Sequence, residues 1–298
     1  MLIIKLIGGL GNQMFQYALG RKLSLQHGVE LKLDLSWFDN VPSIDTKRSY
    51  ALGVYNINEN FATKDDIKKY KKIIAPNFPI LNMLFDRLTS LLGLNKSYIR
   101  EKQINFIPEI LEIKDNSYLD GYWQCEKYFD DIKDILQKDF TLKEPLSDRA
   151  KGYDELIQNC NAVSLHIRRG DYVKNPRTNA FHGICGLDYY EKCIDIIENK
   201  VEKPHFFVFS DEPDWAKENL KLSHPAVYLD RQPQNKDAED MYLFTHCKHH
   251  IIANSSFSWW GAWLSQNPGK IVLAPKHWLN LPYEKIKDIV PESWQKID

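Results

Sequence analysis

The residues best equipped for chemistry stand in one run, His166-Ile167-Arg168-Arg169-Gly170-Asp171, at the end of an apolar stretch that begins at Ala162. Ligands of an open α/β sheet gather beyond the carboxyl ends of its strands. Strand alternation sends His166 and Arg168 to one face and Ile167 to the other. A guanidinium there suits a phosphate, because its planar fork donates two parallel hydrogen bonds. Arg168 and Arg169 are therefore candidate phosphate ligands, with His166 beside them. The bland alternative is a surface ion-pair network with Asp171.

A second run, Asn254-Ser255-Ser256-Phe257-Ser258-Trp259-Trp260-Gly261, places an asparagine and three serines where a strand gives way to a helix. The unpaired N–H groups and the dipole of a helix N-terminus attract anions. Ordinary N-capping is the alternative, although these polar groups exceed what one cap needs. Trp259 and Trp260 read as core or wall aromatics. A third run, Gly8-Gly9-Leu10-Gly11-Asn12-Gln13, follows the first apolar stretch. Gly9 and Gly11 permit a tight turn and a close backbone approach to a ligand. The spacing is not the full dinucleotide fingerprint. Asn12 either caps the next helix or faces a ligand.

Single carboxylates complete the set. Asp211, with Glu212, follows an apolar stretch and reads either as a ligand-edge group or as an acid at a helix N-terminus. Asp240 lies on a helical pattern whose Met241, Leu243, Phe244 and Cys247 face a core. It is a solvated helix residue unless a purine lies beside it, whose N1–H and N2–H₂ edge a carboxylate can accept. His249 and His250 are too close and too poorly partnered to hold a metal. The sequence contains no Asp-x-Asp, which removes the usual metal–diphosphate clamp of many sugar-nucleotide enzymes.

These residues need elements to position them. Strand-like stretches at 2–7, 30–34, 117–121, 162–167, 205–210, 226–229, 251–253 and 271–274 alternate with helical patterns from about Gln13, Leu187, Pro213, Ala238 and Ser255, which predicts parallel sheets built from βα units. The first of these helices buries Phe15, Ala18, Leu19 and Leu23, and the one from Leu187 aligns Tyr190, Ile194 and Ile197. A long polar loop follows residue 167. Lysine-rich helical stretches are expected at 64–72 and 80–92. A seam near residues 145–160 divides an N-terminal domain, 1–150, from a C-terminal domain, 151–298.

Composition narrows the classes. The formal net charge is −1, so no general electrostatic attraction exists for nucleic acid or an anionic membrane. Five scattered cysteines without a Cys-x-x-Cys pair argue against a zinc site and a disulfide framework. The N-terminus reads as a buried strand rather than a leader, and no apolar run approaches the ~20 residues of a membrane span. A reducing cytoplasm is the expected location.

Together the motifs resemble glycosyltransferase family 11, the α-1,2-fucosyltransferases, in its bacterial form. Residues 6–18, from Leu6-Ile7-Gly8-Gly9 to Gln16-Tyr17-Ala18, are similar to the family's N-terminal signature. Residues 166–171 are similar to the His-x-Arg-Arg-x-Asp motif of α-1,6- and protein O-fucosyltransferases, and Phe209-Ser210-Asp211 and residues 254–261 to two later motifs. The resemblance covers essentially the whole chain. It implies a GT-B-like fold, two Rossmann-like domains facing a cleft, with GDP-fucose as donor, no metal or other cofactor, and inversion to an α-linked product. It places Arg168 on the diphosphate, His166 beside the nucleotide, Asp240 on guanine, Ser255, Ser256 and Phe257 along the phosphates, and the loop with Asn12 on the other side of the cleft. The acceptor is expected to be the 2-hydroxyl of galactose in an oligosaccharide or a lipid-linked glycan, the latter drawing the protein to the membrane periphery. Its proton would pass to Asp171, with His182 second, unless the departing GDP oxygen or water takes it late.

Overall fold

The computed structural model describes residues 1–39, 47–70, 97–230 and 237–298. The chain forms two compact units. The first comprises Met1–Gly53, Ile57–Trp123 and Lys127–Asp139; the second comprises Val54–Asn56, Gln124–Glu126 and Phe140–Asp298. Each is an α/β unit built on a parallel sheet, as the alternating pattern predicts.

The first sheet has the order β2-β1-β4-β3, from β1 (Leu2–Lys5), β2 (Leu31–Asp34), β3 (Tyr98–Arg100) and β4 (Ser117–Asp120). All pairs are parallel. The helix Leu10–His27 buries the expected Phe15, Ala18, Leu19 and Leu23. It begins at Leu10, earlier than the sequence suggests, because the N–H groups of Asn12 and Gln13 both reach the Gly9 carbonyl, at 3.0 and 3.1 Å. Gly11 and Asn12 thus lie in the first helical turn, and Gly9 is the N-cap. The expected helix at 64–72 appears as Lys64–Tyr70; the stretch 80–92 lies outside the described residues.

The second sheet has the order β10-β9-β8-β5-β6-β7, from β5 (Asn161–Ile167), β6 (Pro204–Ser210), β7 (Ala226–Tyr228), β8 (His249–Ile251), β9 (Val272–Pro275) and β10 (Gln295–Ile297). All its pairs are parallel too. β5 divides its residues between two faces. Val163, Leu165 and Ile167 enter a core with Phe206, Val208, Ile251 and Leu273, closed by Tyr190, Ile194 and Ile197 of the helix Leu187–Lys200. Ser164 and His166 face the other way, toward Phe244 of the helix Asp237–His246 and Ser258 of the helix Ser256–Leu264. Trp259 and Trp260 are fully buried core residues, and Trp259 Nε1 donates to the Ile289 carbonyl at 2.8 Å. All five cysteines are free.

Two local readings change. The strand expected at 251–253 forms two residues earlier, because His249 and His250 pair with Val163, Ser164 and Val272. A histidine is tolerated there because Nδ1 of the fully buried His250 lies 2.7 Å from Ser164 Oγ and its ring stacks on Phe244. The polar loop after β5 contains two short helices, Gly170–Lys174 and Pro176–His182. Asn175 caps the second by accepting from the Arg177 and Thr178 N–H groups, with Pro176 at the first helical position. β3 and β10, three residues each, are too short for a periodic signal.

Burial, then Lys270 and His249, holds the His250 imidazole well below its ordinary pKa of 6.5. As pH falls below that value the unfolded chain takes up a proton that the folded chain refuses, so stability is full above pH 6.5 and declines below it. The decline is about 1.4 kcal/mol per pH unit for such a histidine. In urea denaturation at pH 7.5, 6.5 and 5.5, His250→Phe, which keeps a ring against Phe244, is expected to flatten the acid limb by about that slope. An unchanged slope would show that His250 titrates normally in the fold.

Candidate functional site

The second sheet has the Rossmann strand order, and its connections reverse direction between β5 and β8. Ligands of such sheets bind at that switch point, beyond the carboxyl ends of the two strands. Both chemical motifs arrive there. Arg168 follows the last residue of β5, and residues 254–257 follow β8.

Arg168 is gripped from two sides. One terminal nitrogen donates to Asp171 at 2.6 Å and the other lies 3.1 Å from Asp211, while the guanidinium carbon sits 5.5 Å from the Tyr172 ring centroid. Burial works against the charge, but Asp211 and Asp171 more than offset it and keep the group protonated. A guanidinium carries five N–H donors, so two carboxylates that each take one nitrogen orient it without exhausting it. Asp211 also accepts the Arg169 backbone N–H at 3.0 Å. Gly170 leaves space for this carboxylate, since a β-carbon there would come within 2.5 Å of Asp211 Oδ2. Asp211 is thus a positioning group for the arginine rather than the first acid of the following helix, which begins at Pro213.

Ion pairs form at both arginines, Arg168 with Asp171 and Arg169 with Glu212. Arg169 Nε donates to Glu212 at 3.2 Å, and its guanidinium stacks 3.7 Å from the Trp215 ring centroid. The adjacent arginines engage different carboxylates, Arg168 those of Asp171 and Asp211 and Arg169 that of Glu212.

The helix Ser256–Leu264 points its N-terminus to the switch point. Ser255 is the N-cap residue, yet its side chain makes no capping bond, and the first turn holds no acid. The plain capping alternative is not realised by the Ser255 side chain, and the first turn carries the unpaired N–H groups and dipole that suit an anion. Ser258 belongs elsewhere, with its Oγ 2.8 Å from Nδ1 of the buried His166. The His166 ring also lies against Phe257 and Phe244. Burial, reinforced by Arg168, drives its pKa down to about 3, so the imidazole is neutral. Asn254 braces the wall. Its amide donates to the His182 carbonyl at 2.9 Å and the Trp278 carbonyl at 3.3 Å, and its backbone carbonyl accepts from the Tyr172 hydroxyl at 3.3 Å. His182 stacks on Tyr172 at 4.7 Å. Burial lowers its pKa while Asp171 pulls the other way.

Asp240 is not a solvated helix residue. It accepts from Arg149 at 3.0 Å, and burial raises its pKa against the opposing pull of that guanidinium. Arg149 stands 91 residues away in sequence, and its helix pattern carried no signal of this role. Tyr172 and the Ser258–His166 pair were missed for the same reason, since their contacts join elements far apart in the sequence. In the first unit, Asn12 is not a helix cap, and Gly9 and Gly11 lie at the start of the first helix, which follows β1. Among the described residues, no group of three or more His, Cys, Asp or Glu could hold a metal ion, and no helix is long and apolar enough to cross a membrane.

An arginine and a helix N-terminus converging at the switch point of a Rossmann-like sheet define a protein that handles phosphate-bearing ligands. The chain belongs to glycosyl transferase family 11, whose model matches residues 56–298, and it is a glycosyltransferase. It is 38% identical over 291 residues to the O-antigen biosynthesis glycosyltransferase WbnK of Escherichia coli, covering 92% of this chain and 93% of the relative. It is 36% identical to an alpha-1,2-colitosyltransferase of Escherichia coli, covering 99% and 98%. Half of it, 49%, aligns at 28% identity with 43% of galactoside alpha-(1,2)-fucosyltransferase 2 of Rattus norvegicus. Among solved structures, the fucosyltransferase NodZ from Bradyrhizobium is similar with a TM-score of 0.49 at 16% identity, over 90% of this chain and 96% of that one.

Proposed function

We propose that the protein transfers L-fucose from GDP-fucose to the 2-hydroxyl of a galactose in an acceptor glycan, with inversion and without a divalent metal. The observation that carries this reading is the placement of Arg168 and the N-terminus of the helix Ser256–Leu264 beyond the carboxyl ends of the adjacent strands β5 and β8. Negative charge builds on the β-phosphate as the sugar departs. A fixed guanidinium and fixed N–H groups stabilise it without reorganising, which is the task a metal performs elsewhere. Asp240, raised toward its neutral form by burial yet paired with Arg149, is the group we assign to the guanine edge. The acceptor hydroxyl loses its proton to Asp171, with His182 as second candidate. Gly9, Gly11 and Asn12 are assigned to the acceptor-side unit. The reaction is placed in the cytoplasm, and on the inner membrane face where the acceptor is lipid-linked.

A second donor has specific support, because a relative that aligns over nearly the full length of both chains is named for colitose. Colitose is L-fucose without its 3-hydroxyl, so the two donors present the same diphosphate. The test incubates the protein in EDTA with lactose and either GDP-fucose or GDP-colitose, and reads GDP release and product linkage by NMR. An α-1,2-fucosylated product in EDTA is expected. Product from GDP-colitose alone would transfer the assignment to that sugar, and loss of activity in EDTA would overturn metal independence.

A further inference from the structure

The first unit holds a loop that is restrained far more than an ordinary connection requires. It follows β4, whose last residue, Asp120, is itself fixed by Lys5 at 3.2 Å and by the Tyr98 hydroxyl. The Gly121 carbonyl accepts from Gln16 Nε2 at 3.2 Å, and the same amide's oxygen accepts the Ile7 N–H at 2.9 Å. Next, the Glu101 carboxylate accepts two successive backbone N–H groups, Tyr122 at 2.7 Å and Trp123 at 3.0 Å. Trp123 adopts φ 57°, rare for a bulky residue, and is fully buried edge-on against Tyr128. Such strain persists only where the surroundings over-determine it, and it clusters at ligand sites.

These restraints present Tyr122, whose neighbour is fully buried while it stays 45% exposed. The loop lies beyond the carboxyl end of β4, the edge where parallel sheets take ligands. A tyrosine offers a flat apolar face and a polar tip. The C–H-bearing face of a pyranose fits such a face, and its hydroxyls fit the rim. We propose that Tyr122 is the stacking platform for a pyranose ring of the acceptor glycan, held in place by Glu101 and Gln16. This inference rests on the glycosyl transfer proposed above.

Hydrolysis of GDP-fucose without acceptor reads the donor site alone, and transfer to lactose, N-acetyllactosamine and lacto-N-biose reads both. Tyr122→Ala is expected to raise the acceptor KM roughly tenfold, the scale of a good aromatic contact. Donor KM, hydrolysis and melting temperature should stay at wild-type values, and Tyr122→Trp should restore most of the acceptor KM. An acceptor KM within twofold of wild type in Tyr122→Ala would overturn the platform while leaving the glycosyl-transfer reading intact. Absence of both hydrolysis and transfer in the wild-type protein would overturn that reading and the platform with it.

Discussion

Arg168→Ala is expected to slow donor turnover by about 10²–10³-fold, the cost of removing one fixed donor from a developing oxyanion. The loss should appear in kcat, because the stabilised charge arises as the sugar leaves. Arg168→Lys should recover little. An ammonium cannot accept the grip of Asp171 and Asp211 on two separate nitrogens and still offer a planar fork to a phosphate. Arg169→Ala is the internal comparison, since its guanidinium is engaged by Glu212 and Trp215. Initial rates of GDP release, with circular dichroism to confirm folding, would decide the matter. Rates for Arg168→Ala within tenfold of wild type would remove Arg168 from the reaction.

The largest effect on stability is expected at Gly261, the last residue of the second motif. A β-carbon there would lie 2.3 Å from Phe244 Cδ1 and 3.0 Å from Cγ. The ring cannot withdraw, because it stacks on His250 and stands edge-on to Phe209 and His166. Replacing a helical glycine with alanine ordinarily gains about 1 kcal/mol, whereas overpacking a filled core costs about 1–3 kcal/mol. Sterics should win, and Gly261→Ala should lower the denaturation midpoint. Gly152, in the helix Asp148–Gln158, has nothing within 4 Å of its would-be β-carbon. Gly152→Ala should therefore raise the midpoint by the propensity gain. A gain at both positions would show that Phe244 has room to move.

Much of the second unit was legible in the sequence. Its long strands are rich in apolar residues, its helices carry stripes such as Tyr190, Ile194 and Ile197, and strand-to-helix junctions mark the ligand edge of any parallel sheet. The first unit was less legible. β3 is three residues long and, among the described residues, enters the sheet through its pairing with β4. Gln13 and Gln16, fully buried, look like ordinary helix residues in the sequence. In the fold Gln13 ties Gly8, Ser49 and Ala51 together, and Gln16 joins Ile7 to Gly121.

The sequence by itself determined which residue types stand at the ends of β5 and β8, and therefore where phosphate ligands are to be sought. Periodicity and junction chemistry are local, and local order is enough to place Arg168 after a strand and Ser255 before a helix. Tertiary structure decided which partner each candidate side chain takes. It joined Ser258 to His166 and Arg149 to Asp240, turned Arg169 onto Trp215, and set Asn254 to brace His182 and Trp278. Each of these pairings depends on strand order and helix packing across tens of residues, and a side chain's partner in space leaves no period in the chain.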